Sequence, residues 1–212
     1  MKLYGYWRSS ASYRVRIALA LKELSYESFS VHLVKDGGEQ KLPAYKELNP
    51  AQLVPTFIDG DVKLNQSLAI IEYLDQVYPE HRLIPEDPKE AAIVRMLALD
   101  MAADLQPITN LRILQYVAGE LDAGDEGKVA WIHHWVERAF TAFEARLQKT
   151  AGRCCFGDQV TLADICLVPQ VYNAQRFGVD LSAYPKLMAV NDYVCSLPAF
   201  QQARPEAQPD AQ

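Results

Sequence analysis

Apolar and polar positions alternate over residues 2–6, the pattern of a short strand. The period changes over residues 12–23. There Val15, Ile17, Ala18, Leu19 and Leu21 form the apolar side of a helix, with Arg14, Arg16 and Lys22 set for its wetter side. Alternation returns over 26–34 and puts Phe29, Val31 and Leu33 on one face. A loop with Gly37-Gly38 and a short segment over 42–48 follow. Residues 56–58 and 62–64 then flank an Asp59-Gly60 turn, the sign of a tight hairpin. Residues 67–78 are helical again, with Leu68, Ile71 and Leu74 spaced to face a core. The order strand, helix, strand, helix, strand, strand, helix predicts a mixed sheet covered by helices.

Three prolines, at positions 79, 85 and 88, interrupt all periodicity and mark the best linker in the chain. Beyond it the strand pattern fades. Residues 89–104, 107–118, 128–149, 161–177 and 186–196 suit helices, so the second part reads as an all-helical bundle. Pro107 is placed to kink or end what is otherwise one long helix. Thr161-Leu162-Ala163-Asp164 reads as a capping box, with Val160 and Ile165 as the accompanying hydrophobic pair. The Gln-, Ala- and Pro-rich tail after Phe200 has little to bury.

Composition narrows the class. With 212 residues, half of them hydrophobic, the chain is long enough for a substantial core split between two domains. Its net charge of -6 and the lack of any Lys/Arg run argue against nucleic acid as a partner. Arg8 comes too early for a signal-peptide apolar region, and no apolar stretch is long enough to span a membrane, so a cytoplasmic location is expected. Cys154, Cys155, Cys166 and Cys195 show neither C-x-x-C spacing nor a His cluster. They read as reduced thiols, with no metal site.

Candidate chemistry sits in four places. Trp7-Arg8-Ser9-Ser10-Ala11-Ser12-Tyr13-Arg14 is a strand-to-helix turn loaded with hydroxyls, and a helix N-terminus favours an anion such as a thiolate. The plain alternative is that Ser9 or Ser12 only caps the helix. Leu53-Val54-Pro55 precedes the hairpin; a cis proline there exposes the Val54 backbone to an extended peptide, while a trans proline simply starts a strand. Asn65-Gln66-Ser67 opens a helix and suits a carboxylate, or again only a cap. Arg112 and Arg176 join Arg8 as side chains fit for bidentate carboxylate recognition, against the common case of solvated surface arginine.

The order Arg-Ser-Ser-x-Ser-x-Arg-Val-Arg-Ile-Ala-Leu (8–19), Lys-Asp-Gly-Gly-x-Gln (35–40), Asn-Pro (49–50), Val-Pro (54–55), Gln-Ser-x-Ala-Ile-Ile-Glu-Tyr-Leu (66–74), Gln-Pro-x-x-Asn (106–110) and Thr-Leu-Ala-Asp (161–164) closely resembles zeta-class glutathione transferases. The likeness runs from residue 1 to about 200. It implies an α/β thioredoxin-like N-terminal domain over 1–80 and an all-α C-terminal domain over 89–212 that completes the substrate site. It further implies a homodimer, glutathione as cofactor, and a small diacid as substrate. The implied reaction is the cis–trans isomerisation of maleylacetoacetate to fumarylacetoacetate in tyrosine and phenylalanine catabolism. The related maleylpyruvate isomerases, glutathione-conjugating or dehalogenating transferases, and a binding module without chemistry stand as alternatives.

By this resemblance the glutathione thiol falls to Ser9 and Ser10, within a turn that includes Ala11, Ser12, Tyr13 and Arg14. Val54 meets the cysteinyl backbone, and Gln66 and Ser67 hold the γ-glutamyl end. Gln40, Gln106, Asn110, Leu111 and Arg112 match further lining positions, and Arg8, Arg112 and Arg176 match arginines of the maleylpyruvate isomerases. Ala11 departs from the class, which usually carries cysteine there.

Overall fold

A run of β-compatible residues at the N-terminus forms β1 (Lys2–Gly5), the hub of the sheet. It pairs in parallel with β2 (Glu27–Ser30) and antiparallel with β3 (Thr56–Asp59), which pairs in turn with β4 (Val62–Asn65). The strand order is β2-β1-β3-β4. The computed structural model describes residues 1–212 and divides them into two units. One comprises Met1–Arg82 with Leu197–Gln212, the other Leu83–Ser196. The first has the mixed sheet covered by helices that the element order predicts, in the thioredoxin-like layout that the resemblance implies.

The hairpin turn lies one residue later than the sequence suggested. Asp59 pairs with Val62, so Gly60 and Asp61 make the loop, and Gly60 supplies the positive φ of 58° that the tight reversal needs. Gly5 has a different role: a Cβ there would come within 2.9 Å of Ser12 Oγ, so glycine is what lets α1 (Ser10–Leu21) start so close to β1.

The expectation that Arg14, Arg16 and Lys22 face water is overturned: all three are buried. Helix α1 is covered by α3 (Ser67–Val77) and also by α10 (Pro198–Ala203), leaving it no wet side. Its cations are satisfied internally instead. Lys22 Nζ lies 2.9 Å from Asp75 Oδ1 and donates to the carbonyls of Tyr78, Glu80 and His81. The stretch read as a linker is therefore tied down at its start.

The tail also differs from expectation. Phe200, Ala203 and Pro205 are buried, and Leu197–Gln212 belongs to the first unit, not to the helical one. The apolar face of α10 supplies the burial that the polar composition concealed.

In the second unit α4 (Pro88–Leu99) starts on an Asp87 cap that accepts from the Lys89 and Glu90 amides. It runs on as a π-helical stretch, Asp100–Leu105, into the short α5 (Gln106–Ile108). The wide turn accommodates Pro107, which has no N–H for the helical ladder, and the helix ends one residue later. Helix α6 (Leu111–Ala118) begins on Asn110, whose side chain accepts from Ile113 N–H at 3.3 Å. The long α7 (Gly124–Thr150) buries Ile132, Val136, Phe140, Phe143 and Leu147 as one helical stripe. Helix α8 (Leu162–Arg176) carries the expected capping box, and α9 (Pro185–Cys195) packs on it. No helix is long and apolar enough to cross a membrane.

Candidate functional site

The turn from β1 to α1 is built around the Ser9 cap. Ser9 N–H donates to Tyr6 O at 2.9 Å, and Ser9 Oγ accepts from Ser12 N–H at 3.2 Å. Capping uses a lone pair of the hydroxyl, not its proton. Ser9 therefore caps the helix and still has an O–H to give, so the two readings of this serine are compatible. The amides of Ser10 and Ala11 are the donors that a helix start leaves without an intrahelical acceptor. Ser10 is almost fully buried and Ser12 fully so. Arg8 lies 4.7 Å above the Trp7 ring and donates to Tyr6 Oη at 3.1 Å, which fixes its guanidinium beside the turn.

A second helix start belongs to the same unit. Gln66, exposed, holds φ at 72°, a left-handed value uncommon for a side-chain-bearing residue, and offers α3 no side-chain cap. The first amides of α3 thus remain available to an anion. Ser67 is buried and accepts from Arg14 Nε at 2.9 Å, so the side chain of α1 reaches the N-terminus of α3.

Between them in sequence lies the loop to β3. The Val54–Pro55 bond is cis. Leu53 O accepts from Tyr45 Oη at 2.8 Å and Asn49 Nδ2 at 2.7 Å, while Thr56 Oγ1 lies 3.0 Å from Tyr45 Oη and donates to Asn65 Oδ1. The Val54 N–H and C=O are not used within the chain. Tyr45 and Thr56 carry no signal in the sequence pattern; the Asn-Pro motif at 49–50 and the Asn65-Gln66-Ser67 segment contain Asn49 and Asn65 without showing that these two side chains shape the loop. Gln40 is buried, donates to Leu33 O at 3.3 Å, and leaves its Oε1 without a partner.

The structure thus brings Arg8, Ser9, Ser10, Ala11, Ser12, Tyr13, Arg14, Gln40, Val54, Gln66 and Ser67 into one unit. The other candidates occupy the helical unit. Gln106 opens α5, Asn110 caps α6, Leu111 and an exposed Arg112 form its first turn, and an exposed Arg176 ends α8 with Nη1 3.2 Å from Asn173 Oδ1.

The chain's own thiols are not poised as nucleophiles. Burial, aided by the Asp164 carboxylate, pushes Cys154 up to about 12 and Cys155 well above its ordinary value. Burial also raises Cys195 to about 11. No group of three or more His, Cys, Asp or Glu is placed to hold a metal. His133 donates through Nε2–H to Phe177 O at 2.8 Å, and His134 stands edge-on to Trp135, both packing roles on α7.

Comparison with known proteins gives the class. The family model described as glutathione S-transferase, N-terminal domain, matches residues 1–76, and the C-terminal domain of the same family matches 111–198. The chain belongs to the glutathione transferase family. A Vibrio cholerae relative named probable maleylacetoacetate isomerase is 56% identical over 99% of this chain and 97% of its own length. A holo structure described as a maleylpyruvate isomerase, a bacterial zeta-class glutathione S-transferase, shares 46% identity and a TM-score of 0.97 over 100% of both chains. A maleylacetoacetate isomerase from Anaeromyxobacter dehalogenans, with dicarboxyethyl glutathione and citrate in its active site, shares 38% identity and a TM-score of 0.87, covering 100% of this chain and 97% of that one.

The first unit fits glutathione: two helix starts with unspent amides, the Val54 backbone, and the orphaned Gln40 Oε1 suit a tripeptide's carboxylates, main chain and amine.

Proposed function

We propose that this protein is a glutathione-dependent cis–trans isomerase that converts maleylacetoacetate to fumarylacetoacetate. One observation carries the reading. A serine that both caps α1 and keeps its O–H stands beside a helix N-terminus, in a chain whose Cys154, Cys155 and Cys195 thiols are kept neutral by burial.

Glutathione held there would supply a soft sulfur nucleophile, the chemistry suited to reversible addition across a conjugated cis alkene. The protein's part is to favour the ionised sulfur and to hold the substrate. Ser9 donates its O–H toward the sulfur, supported by Ser10 and the amides of the first turn. Val54 would pair with the tripeptide backbone, Gln66, Ser67 and the α3 amides would hold its γ-glutamyl carboxylate, and Gln40 Oε1 would accept from its amine. Tyr13 is buried behind the turn, and Arg14 holds Ser67 in place. Ala11 leaves sulfur chemistry to the cofactor alone. Arg8 of the first unit is assigned to a substrate carboxylate and to the charge that develops on addition; within the helical unit Arg176 is assigned the same role by the resemblance, and Gln106, Asn110, Leu111 and Arg112 are the lining positions that the resemblance implies. Loss of one such electrostatic donor costs about 3 kcal/mol of transition-state stabilisation.

A second reading, maleylpyruvate isomerisation, is favoured by the zeta-class structure with a TM-score of 0.97 and by the three arginines Arg8, Arg112 and Arg176. Side-by-side assays of the two cis substrates, with and without glutathione, decide between them: the true substrate turns over faster, and glutathione is not consumed. Depletion of glutathione in step with substrate would make the protein a conjugating transferase, and equal turnover without glutathione would sink the isomerase reading. The proposal includes a place in tyrosine and phenylalanine breakdown, a cytoplasmic location and a homodimer. Sedimentation of the purified protein at twice the chain mass checks the last.

A further inference from the structure

The tail that sequence composition dismissed reaches back to the turn that carries Ser9. Asp210 Oδ2 accepts from Trp7 N–H at 3.2 Å and from Ser30 Oγ at 3.0 Å. On the other side of the same residue, Arg16 Nη2 donates to Trp7 O at 2.9 Å, while Arg16 Nε donates to Ala203 O at 3.0 Å. Both polar backbone atoms of Trp7 are thus held, one by the tail directly and one through an arginine that the tail also engages. Trp7 is the residue whose ring carries Arg8 and whose chain leads into the Ser9 cap. The tail is itself built to hold this position. Phe200, Ala203 and Pro205 are buried, and Gln208 Nε2 donates to Gln202 O and Arg204 O, both at 3.0 Å.

We propose that Asp210 and Arg16 are positioning residues for the isomerase site, clamping Trp7 so that Ser9 and Arg8 meet glutathione and substrate in register. Neither touches the reacting atoms. Their effect passes through the backbone of one residue, and small misplacements at a site of this kind are costly in rate. The inference rests on the isomerase reading for its kinetic consequence, but not for the clamp itself.

The full-length Asp210→Ala and Asp210→Asn variants test it. Asp210→Ala removes the acceptor, whereas Asp210→Asn keeps an oxygen for the Trp7 N–H and removes only the charge. With Asp210→Ala, kcat is expected to fall roughly tenfold, KM for glutathione to stay within about twofold, and the bound thiol pKa, read by thiolate absorbance, to rise by about one unit. Asp210→Asn should restore most of kcat. Wild-type kcat and thiol pKa in Asp210→Ala would overturn the proposal. So would equal lowering of the thiol pKa in both variants, which would reduce Asp210 to a bystander charge, or a kcat loss that tracks thermal stability with no rescue by asparagine. If the wild type shows no glutathione-dependent turnover, the functional reading fails instead. The clamp is then judged by amide exchange at Trp7 and Ser9, which must quicken in Asp210→Ala and not in Asp210→Asn.

Discussion

Arg14 Nε donates to Ser67 Oγ at 2.9 Å, tying the second turn of α1 to the first residue of α3, the helix start proposed for the γ-glutamyl carboxylate. Both residues are buried, so the charge on Arg14 is held near the α3 N-terminus in a poorly screened setting. Replacing Arg14 with leucine removes this link. The expected result is a KM for glutathione raised about tenfold, with kcat at saturating glutathione changed much less, since the lost interaction serves binding of the tripeptide's remote end. Initial-rate kinetics over a range of glutathione concentrations measure the split.

Ser9→Ala should behave in the opposite way. It removes the O–H assigned to the thiolate, and kcat at neutral pH should fall by about a hundredfold, the effect of losing one preorganised donor. The bound thiol should ionise at higher pH, so the residual rate should climb with pH over the range where the wild type is flat. Losing the cap should also lower stability by about 1 kcal/mol. Full isomerase activity in Ser9→Ala would remove serine from the mechanism.

Asp164 bears on folding alone. Its carboxylate, fully buried, accepts from Cys155 N–H at 2.7 Å, Thr161 N–H at 2.8 Å and Thr161 Oγ at 3.2 Å. Asp164→Ala leaves two buried amides without an acceptor and should destabilise the protein by about 3 kcal/mol, visible as a lower urea midpoint. Turnover per folded molecule should be unchanged.

The cysteines predict an alkaline limit. Their folded-state values lie above the unfolded one, to about 11 for Cys195 and about 12 for Cys154, because burial disfavours the thiolate. Folding therefore holds protons that the unfolded chain releases from about pH 8.5 upward. This contribution is complete below that value and is lost as pH rises through 11 and 12. Urea midpoints should be flat from neutral pH to about 8.5 and then decline. Thiol reagents should react slowly with the native protein at neutral pH and readily after denaturation; fast native labelling of Cys195 would contradict the assignment.

The sequence alone determined what depends on near neighbours. The strand and helix order of the first unit, the hairpin, the Thr161–Asp164 capping box and the hydroxyl-rich turn are all written in spacings of a few residues, which local sterics and hydrogen bonding read directly. Even the error at the hairpin was one residue, because Asp59-Gly60 and Gly60-Asp61 both satisfy turn chemistry and strand register decides between them. What tertiary structure decided was the far side of each element. Periodicity assigned Arg14, Arg16 and Lys22 to water, since a charged side chain normally stays there. A second cover on α1, supplied by a tail from the other end of the chain, buried them instead and gave them partners. Trp7 and Asp210 are 203 positions apart, and Arg14 and Ser67 are 53 apart. Partners at such separations are chosen by which surfaces meet when the apolar area is buried, a property of the folded whole that no local pattern contains.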